Sequence, residues 1–128
     1  MKTDLDIKKT LVLGASLKVE RYSNQAINML RDYDHSVLAH GLREGEVRDV
    51  NIVNDLKALE GENIDTITLY LNPQRQEQYQ EWIIGMKPRR VIFNPGTENP
   101  GFMAKLTANG IHPVVACTLV MLRTRQYD

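Results

Sequence analysis

The chain has 128 residues, 42% of them hydrophobic and 25% charged, the proportions of a single soluble globular domain with room for one real core. Sixteen basic residues cancel sixteen acidic ones, so no global field draws the protein to nucleic acid or to an anionic membrane, and phosphate recognition has to be local. Its apolar runs fall far short of the roughly 20 residues of a membrane-spanning helix. The first residues lack the apolar stretch of a signal peptide, and a single cysteine excludes an internal disulfide and suits a cytoplasmic location.

Asp4 to Lys9 reads as a polar lead-in. Thr10 to Leu13 is apolar at consecutive positions, the pattern of a central parallel strand covered on both faces. Gly14-Ala15-Ser16 then turns the chain into a mobile polar loop, and from Ser23 the residues Ala26, Ile27, Leu30 and Tyr33 fall at helical spacing, with Ser23 or Asn24 as cap. Ser36 to Ala39 is a second strand, and His40 to Gly45 is a loop with two glycines. Val50 to Val53 reads as a short edge strand, and Asn54 caps a small helix that Gly61 stops. Ile64 to Leu71 is the clearest strand, ended by Asn72-Pro73. Pro73 opens a helix running to about Met86. Val91 to Phe93 is a further strand, followed by Asn94-Pro95-Gly96-Thr97-Glu98-Asn99, a helix from about Pro100 to Asn109, and a last strand from Pro113 to Ala116.

This alternation of strand and helix predicts an α/β, Rossmann-like three-layer sandwich with a mainly parallel sheet of about five strands. Ligands of such sheets bind beyond the carboxyl ends of the strands, where strand order reverses. That rule selects the loops Gly14 to Tyr22, His40 to Glu46, Leu71 to Pro73 and Asn94 to Asn99, and the segment around Cys117. Lys87, Arg89 and Arg90 precede a strand and read as a solvated face on the far side.

A strand, a small-residue turn and a helix make a phosphate-binding opening, because backbone N–H groups approach the ligand and the helix presents its positive end. The dinucleotide pattern itself is incomplete, with Gly14 followed by Ser16 and Val19 where further glycines belong. NAD binders place a carboxylate at the end of the second strand for the ribose hydroxyls; this chain has His40 there, with Arg43 close behind. A cation in that position suits a phosphorylated ribose, which coenzyme A and NADP both carry.

The collinear set Val12-Leu13-Gly14-Ala15-Ser16, Glu20-Arg21-Tyr22-Ser23, Tyr70-Leu71-Asn72-Pro73, Asn94-Pro95-Gly96-Thr97-Glu98-Asn99 and Ala116-Cys117-Thr118-Leu119-Val120-Met121 resembles the small stand-alone CoA-binding domain proteins. These are similar to the N-terminal domain of the succinyl-CoA synthetase alpha subunit. The resemblance spans about residues 9 to 125 and implies a single domain that binds coenzyme A or an acyl-CoA at its strand ends. By that analogy Gly14, Ala15, Ser16 and Arg21 hold the diphosphate, Arg43 sits by the ribose phosphate, and His40 lies at the edge of the site. Leu71, Asn72 and Pro73 pack near the adenine or the pantetheine arm, and the loop containing Asn94, Pro95 and Gly96 borders the pantetheine end. Where the family commonly has Asn-Pro after the second strand, this chain has His40-Gly41.

Catalytic machinery is not legible: there is no G-x-S-x-G elbow, no nucleophile with an evident histidine base, and no lysine-bearing phosphate loop. The three histidines share no metal-ligand spacing with one another or with Cys117, which reads as a small buried apolar residue. The expectation is a binding module for a small nucleotide ligand, with a protein partner or a second copy of the chain left open. An NADP-binding oxidoreductase-like domain and a scaffold that has lost its ligand remain the alternatives. The run Leu119 to Leu122 faces either the core or a second subunit.

Overall fold

A computed structural model describes residues 7–128. The lead-in expected over Asp4 to Lys9 lies, through Asp6, outside the described residues, and Lys9 itself already belongs to the first strand. The strands are β1 (Lys9–Leu13), β2 (Ser36–His40), β3 (Gly45–Val47), β4 (Val50–Val53), β5 (Ile64–Leu69), β6 (Arg90–Phe93) and β7 (His112–Val115), and the helices are α1 (Tyr22–Asp32), α2 (Pro73–Gln76), α3 (Gln80–Met86), α4 (Pro100–Ala108) and α5 (Thr118–Arg123). They form one sheet of seven strands in the order β3-β4-β2-β1-β5-β6-β7. Every pairing is parallel except β3 with β4.

The expected count of about five strands is therefore too low. The short edge segment Val50 to Val53 is a full member of the sheet, and the strand with no counterpart among the segments read from the sequence is β3, whose three residues, Gly-Glu-Val, carry no apolar alternation. Arg48, at a φ of 56°, turns the chain back so that Val47 pairs with Val50. The helix expected from Pro73 to Met86 is also interrupted, by a 3-10 turn over Glu77–Tyr79 that separates α2 from α3. The helix expected after Asn54 is a single 3-10 turn over Leu56–Leu59, capped by the side chain of Asp55.

Consecutive apolar residues in the central strands have a simple cause. Leu11, Leu13, Ile67, Leu69, Val91 and Phe93 face one layer and meet Ile83, Phe102 and Leu106 of α3 and α4. Val12, Ala39 and Ile92 face the other, against Ile27 and Leu30 of α1 and Leu122 of α5. A strand covered on both sides gains by burying every side chain, so alternation disappears. The same layer accounts for the run Leu119 to Leu122: Leu119 and Leu122 are buried in this chain's own core while Val120 is half exposed.

Arg90 corrects the reading of Lys87, Arg89 and Arg90 as a solvated face. Lys87 is exposed and Arg89 pairs with Asp65 at 3.0 Å, but Arg90 is buried. Its guanidinium donates to the Thr66 hydroxyl at 2.9 Å and to the Tyr127 carbonyl at 2.6 Å, and lies 4.5 Å over the Tyr127 ring. The Tyr127 hydroxyl in turn meets that of Thr10. Burying a cation is tolerated because its donors are satisfied and an aromatic face covers it. The result pins the C-terminal segment under β1, β5 and β6, on the side opposite the strand ends that matter for ligands.

Among the described residues no helix is long and apolar enough to cross a membrane.

Two glycines make opposite predictions. A Cβ on Gly41 would lie 2.3 Å from the Ala15 carbonyl oxygen, a backbone atom that cannot step aside. We expect Gly41→Ala to destabilise the protein by more than about 2 kcal/mol. A Cβ on Gly85, inside α3, would have nothing within 4 Å, and Gly85→Ala should stabilise by roughly 0.5–1 kcal/mol through helix propensity. Urea denaturation of the two variants checks both signs.

Candidate functional site

Strand order reverses between β1 and β5, since the chain leaves β1 toward β2 on one side and later returns to β5 on the other. At that point the carboxyl ends open into a cleft of about 530 Å³, within the roughly 300–1,000 Å³ usual for small-molecule sites. Four loops wall it: those after β1, β2, β5 and β6.

The loop after β1 begins at Gly14, whose φ of 94° favours glycine and whose α-carbon lies against Tyr70 and Leu71. A Cβ there would be 3.0 Å from the Tyr70 backbone. The Gly14 and Ala15 N–H groups both donate to the His40 carbonyl, at 3.0 and 2.9 Å. These two donors are engaged in fastening the loop to the end of β2. Ser16 is held from the other side, its carbonyl accepting from the buried Asn24 at 3.0 Å. Helix α1 then starts after Arg21, not after Ser23 or Asn24, and Arg21 makes no side-chain cap. The opening donors of α1 are thus left without a side-chain partner beside the cleft, a favourable position for an anion.

His40 itself turns away. Its ring is buried, with Nε2 2.8 Å from the Asn54 carbonyl and its edge against the Tyr79 ring at 5.5 Å. A carbonyl only accepts, so Nε2 carries the proton. Burial lowers the imidazole from its ordinary value of 6.5, the Asn54 carbonyl and Asp55 opposing the shift. Gly41 and Leu42 continue this strap: Gly41 N–H donates to Val53 at 3.1 Å, and Asn54 Nδ2 donates to the Leu42 carbonyl at 2.9 Å.

After β5 and β6 the wall rests on two buried amides. Asn94 Nδ2 donates to the Thr68 hydroxyl at 2.7 Å and to the Leu69 carbonyl at 2.8 Å, while Oδ1 accepts the Thr118 N–H at 2.9 Å. Gln76, fully buried, donates to the Leu71 carbonyl at 2.8 Å and the Thr97 carbonyl at 2.7 Å, and accepts from Asn99 at 3.0 Å. The Thr97 hydroxyl folds back to the Asn94 carbonyl at 2.7 Å. Tyr70 stands in the wall with a phenol that burial pushes up to about 12, so it is neutral. Among the described residues its hydroxyl has no hydrogen-bond partner.

Of the residues singled out from the sequence, the structure brings Gly14, Ser16, Arg21 and Arg43 together with Leu71, Asn72, Pro95 and Gly96 along the cleft. Ala15, His40, Pro73 and Asn94 stand behind that lining, and for three of them the reason is visible. Ala15 fastens the loop, His40 straps β2 to Asn54, and Asn94 is consumed by the sheet. Cys117, expected to be a small buried residue, is half-buried at the cap of α5.

Lys18 and Arg75 also line the cleft. Lys18 lies in the selected Gly14 to Tyr22 loop, and Arg75 follows Asn72-Pro73 by two positions, so both are within reach of the strand-end rule. With Arg21 and Arg43 they make four cations on one cleft that no carboxylate lines. Among the described residues none of the four is in an ion pair, whereas Lys9, Arg31, Arg48 and Arg89 elsewhere are paired. In a chain with no net charge this is a local positive field, which a cleft with low-dielectric walls focuses. Phosphate groups are its natural complement.

Over residues 8–123 the chain matches the family described as a CoA binding domain, and it belongs to that family. A crystal structure of an uncharacterized protein is 45% identical, with a TM-score of 0.87, over 94% of this chain and 98% of the other. A protein from Thermus thermophilus is 23% identical (TM-score 0.83, covering 94% of this chain and 90% of that one). A hypothetical protein from Pyrococcus horikoshii is also 23% identical (TM-score 0.81, covering 95% and 85%). The last two share the fold. No curated protein matches.

The wall of the cleft can be tested at two side chains. Asn94→Ala leaves the Thr118 N–H and the Leu69 carbonyl without their partner, and should cost about 2–4 kcal/mol in urea denaturation; a loss below about 1 kcal/mol would contradict the role given to this amide. The second is His40, whose folded value lies below its ordinary one. Its contribution is whole above the ordinary value and is lost as pH falls through the depressed one. Between about pH 7.5 and about pH 5 the wild-type melting temperature should therefore fall more than that of His40→Gln. Parallel curves would exclude it.

Proposed function

We propose that this member of the CoA binding domain family holds coenzyme A, free or acylated, across the cleft between the ends of β1 and β5. The observation that carries the reading is the convergence of Lys18, Arg21, Arg43 and Arg75 on that cleft, unpaired among the described residues. Coenzyme A has a diphosphate and a phosphorylated ribose joined to an uncharged arm. Arg21 and Lys18, on the loop after β1 beside the uncapped start of α1, suit the diphosphate. Arg43, one strand over after β2, suits the ribose phosphate. The protein acts as a binding module that senses, stores or delivers its ligand, in keeping with a sequence that shows no catalytic constellation.

Thermal shift with coenzyme A, dephospho-coenzyme A, NADP and NAD tests this. At a hundredfold excess over Kd a ligand raises stability by roughly 2.7 kcal/mol, a clear shift in melting temperature. Coenzyme A should give the largest shift; a preference for NADP, or no shift with any of the four, would overturn the reading. Arg43→Ala should weaken coenzyme A roughly ten- to hundredfold, the factor for losing a charge-assisted hydrogen bond, and leave dephospho-coenzyme A almost unchanged. Equal losses for both would remove Arg43 from the ribose phosphate.

A further inference from the structure

Charge is graded along the rim of the cleft in the order of the sheet. Arg43 follows β2, Lys18 and Arg21 follow β1, Arg75 follows β5, and after β6 the sign changes. There Pro95 and Gly96 line the cleft, and the carboxylate of Glu98 accepts the Gly96 N–H at 2.8 Å. Glu98 is exposed and, among the described residues, forms no ion pair.

The turn that carries this carboxylate is locked from inside. The Thr97 N–H and hydroxyl both bond the Asn94 carbonyl, at 3.0 and 2.7 Å, and Gln76 holds the Thr97 carbonyl at 2.7 Å. Gly96 takes a φ of 91°, which few other residues accept. Glu98, just outside the lining itself, therefore holds a negative charge against Gly96 on the one loop of the cleft that contributes no cation.

An anionic head drawn to the β1 and β2 loops leaves its uncharged arm to run toward β6. Whatever group the thiol carries then arrives at Gly96 and Glu98. A neutral acyl group meets an N–H already occupied and loses nothing. An acyl group ending in a carboxylate meets a like charge, which can withdraw only by giving up its bond to the Gly96 N–H. We infer that Glu98 is a specificity-determining residue that admits free coenzyme A and neutral acyl thioesters and disfavours thioesters of dicarboxylic acids. The inference rests on the proposed binding of coenzyme A in the cleft.

The test is isothermal titration of the full chain with coenzyme A, acetyl-CoA and succinyl-CoA. Wild type should bind acetyl-CoA about fivefold or more tightly than succinyl-CoA, and the ratio should shrink in high salt as the repulsion is screened. E98Q keeps an oxygen acceptor for the Gly96 N–H and removes the charge, so the ratio should approach unity. E98A should narrow the ratio equally while also lowering the melting temperature, because the turn loses its acceptor. A wild-type ratio near one, or a ratio that E98Q leaves intact, overturns the role of Glu98 while coenzyme A binding stands. Failure of all three ligands to bind overturns the binding reading and this inference together.

Discussion

The architecture of the cleft depends on one buried side chain. The Asn94 amide bonds the Thr68 hydroxyl, the Leu69 carbonyl and the Thr118 N–H, so the end of β5, the end of β6 and the start of α5 meet at a single planar group. An amide is suited to this because it donates and accepts from fixed directions. The main-chain carbonyl of Asn94 anchors Thr97, and Gln76 extends the same bonding to the Leu71 segment. With these groups satisfied inside, the outer residues of both loops are free to face solvent without losing their positions. The side chains that touch a ligand need not hold the walls, and the side chains that hold the walls need not touch a ligand.

A second constraint is topological. Because β1 is flanked by β2 on one side and β5 on the other, the loops after these strands diverge and cannot close over one another. Arg21, Arg43 and Arg75 come from three of them, and the opening keeps those cations apart from every acid that pairs elsewhere. Arg31 with Asp49 and Arg89 with Asp65 lie away from this rim. Neutrality of the whole chain therefore hides a strong local asymmetry, which total charge cannot report and strand order can.

Much of this is legible in the sequence, and what is not has particular causes. β1 and β6 announce themselves because a strand covered on both faces carries consecutive apolar residues, Leu11 to Leu13 and Val91 to Phe93, and β5 does so through its β-branched residues. β3 does not, because three residues stabilised by pairing with β4 need no pattern of their own. Arg90 reads as surface because nothing near it in sequence forecasts burial; its partner Tyr127 is 37 positions away. The strand-end rule finds the right loops, yet cannot sort their residues by role. Asn94 and Gly96 are both ordinary turn residues, and only the crossing of β5, β6 and α5 makes one a brace and the other a lining. Lys18 and Arg75 escape notice for the same reason, since an exposed cation gains meaning only from what stands opposite.

The clasp of Arg90 on Tyr127 bears on how the chain reaches this state. Thr10 and Tyr127 are 117 positions apart, and closing so long a loop costs entropy that no local contact repays. The clasp is thus a late event, made when β1, β5 and β6 already lie side by side. The Thr10 hydroxyl therefore finds this partner only once the chain as far as Tyr127 has been made. Ligand-facing loops sit at the other end of those strands, so this long-range closure and the recognition surface are separated by the length of the sheet.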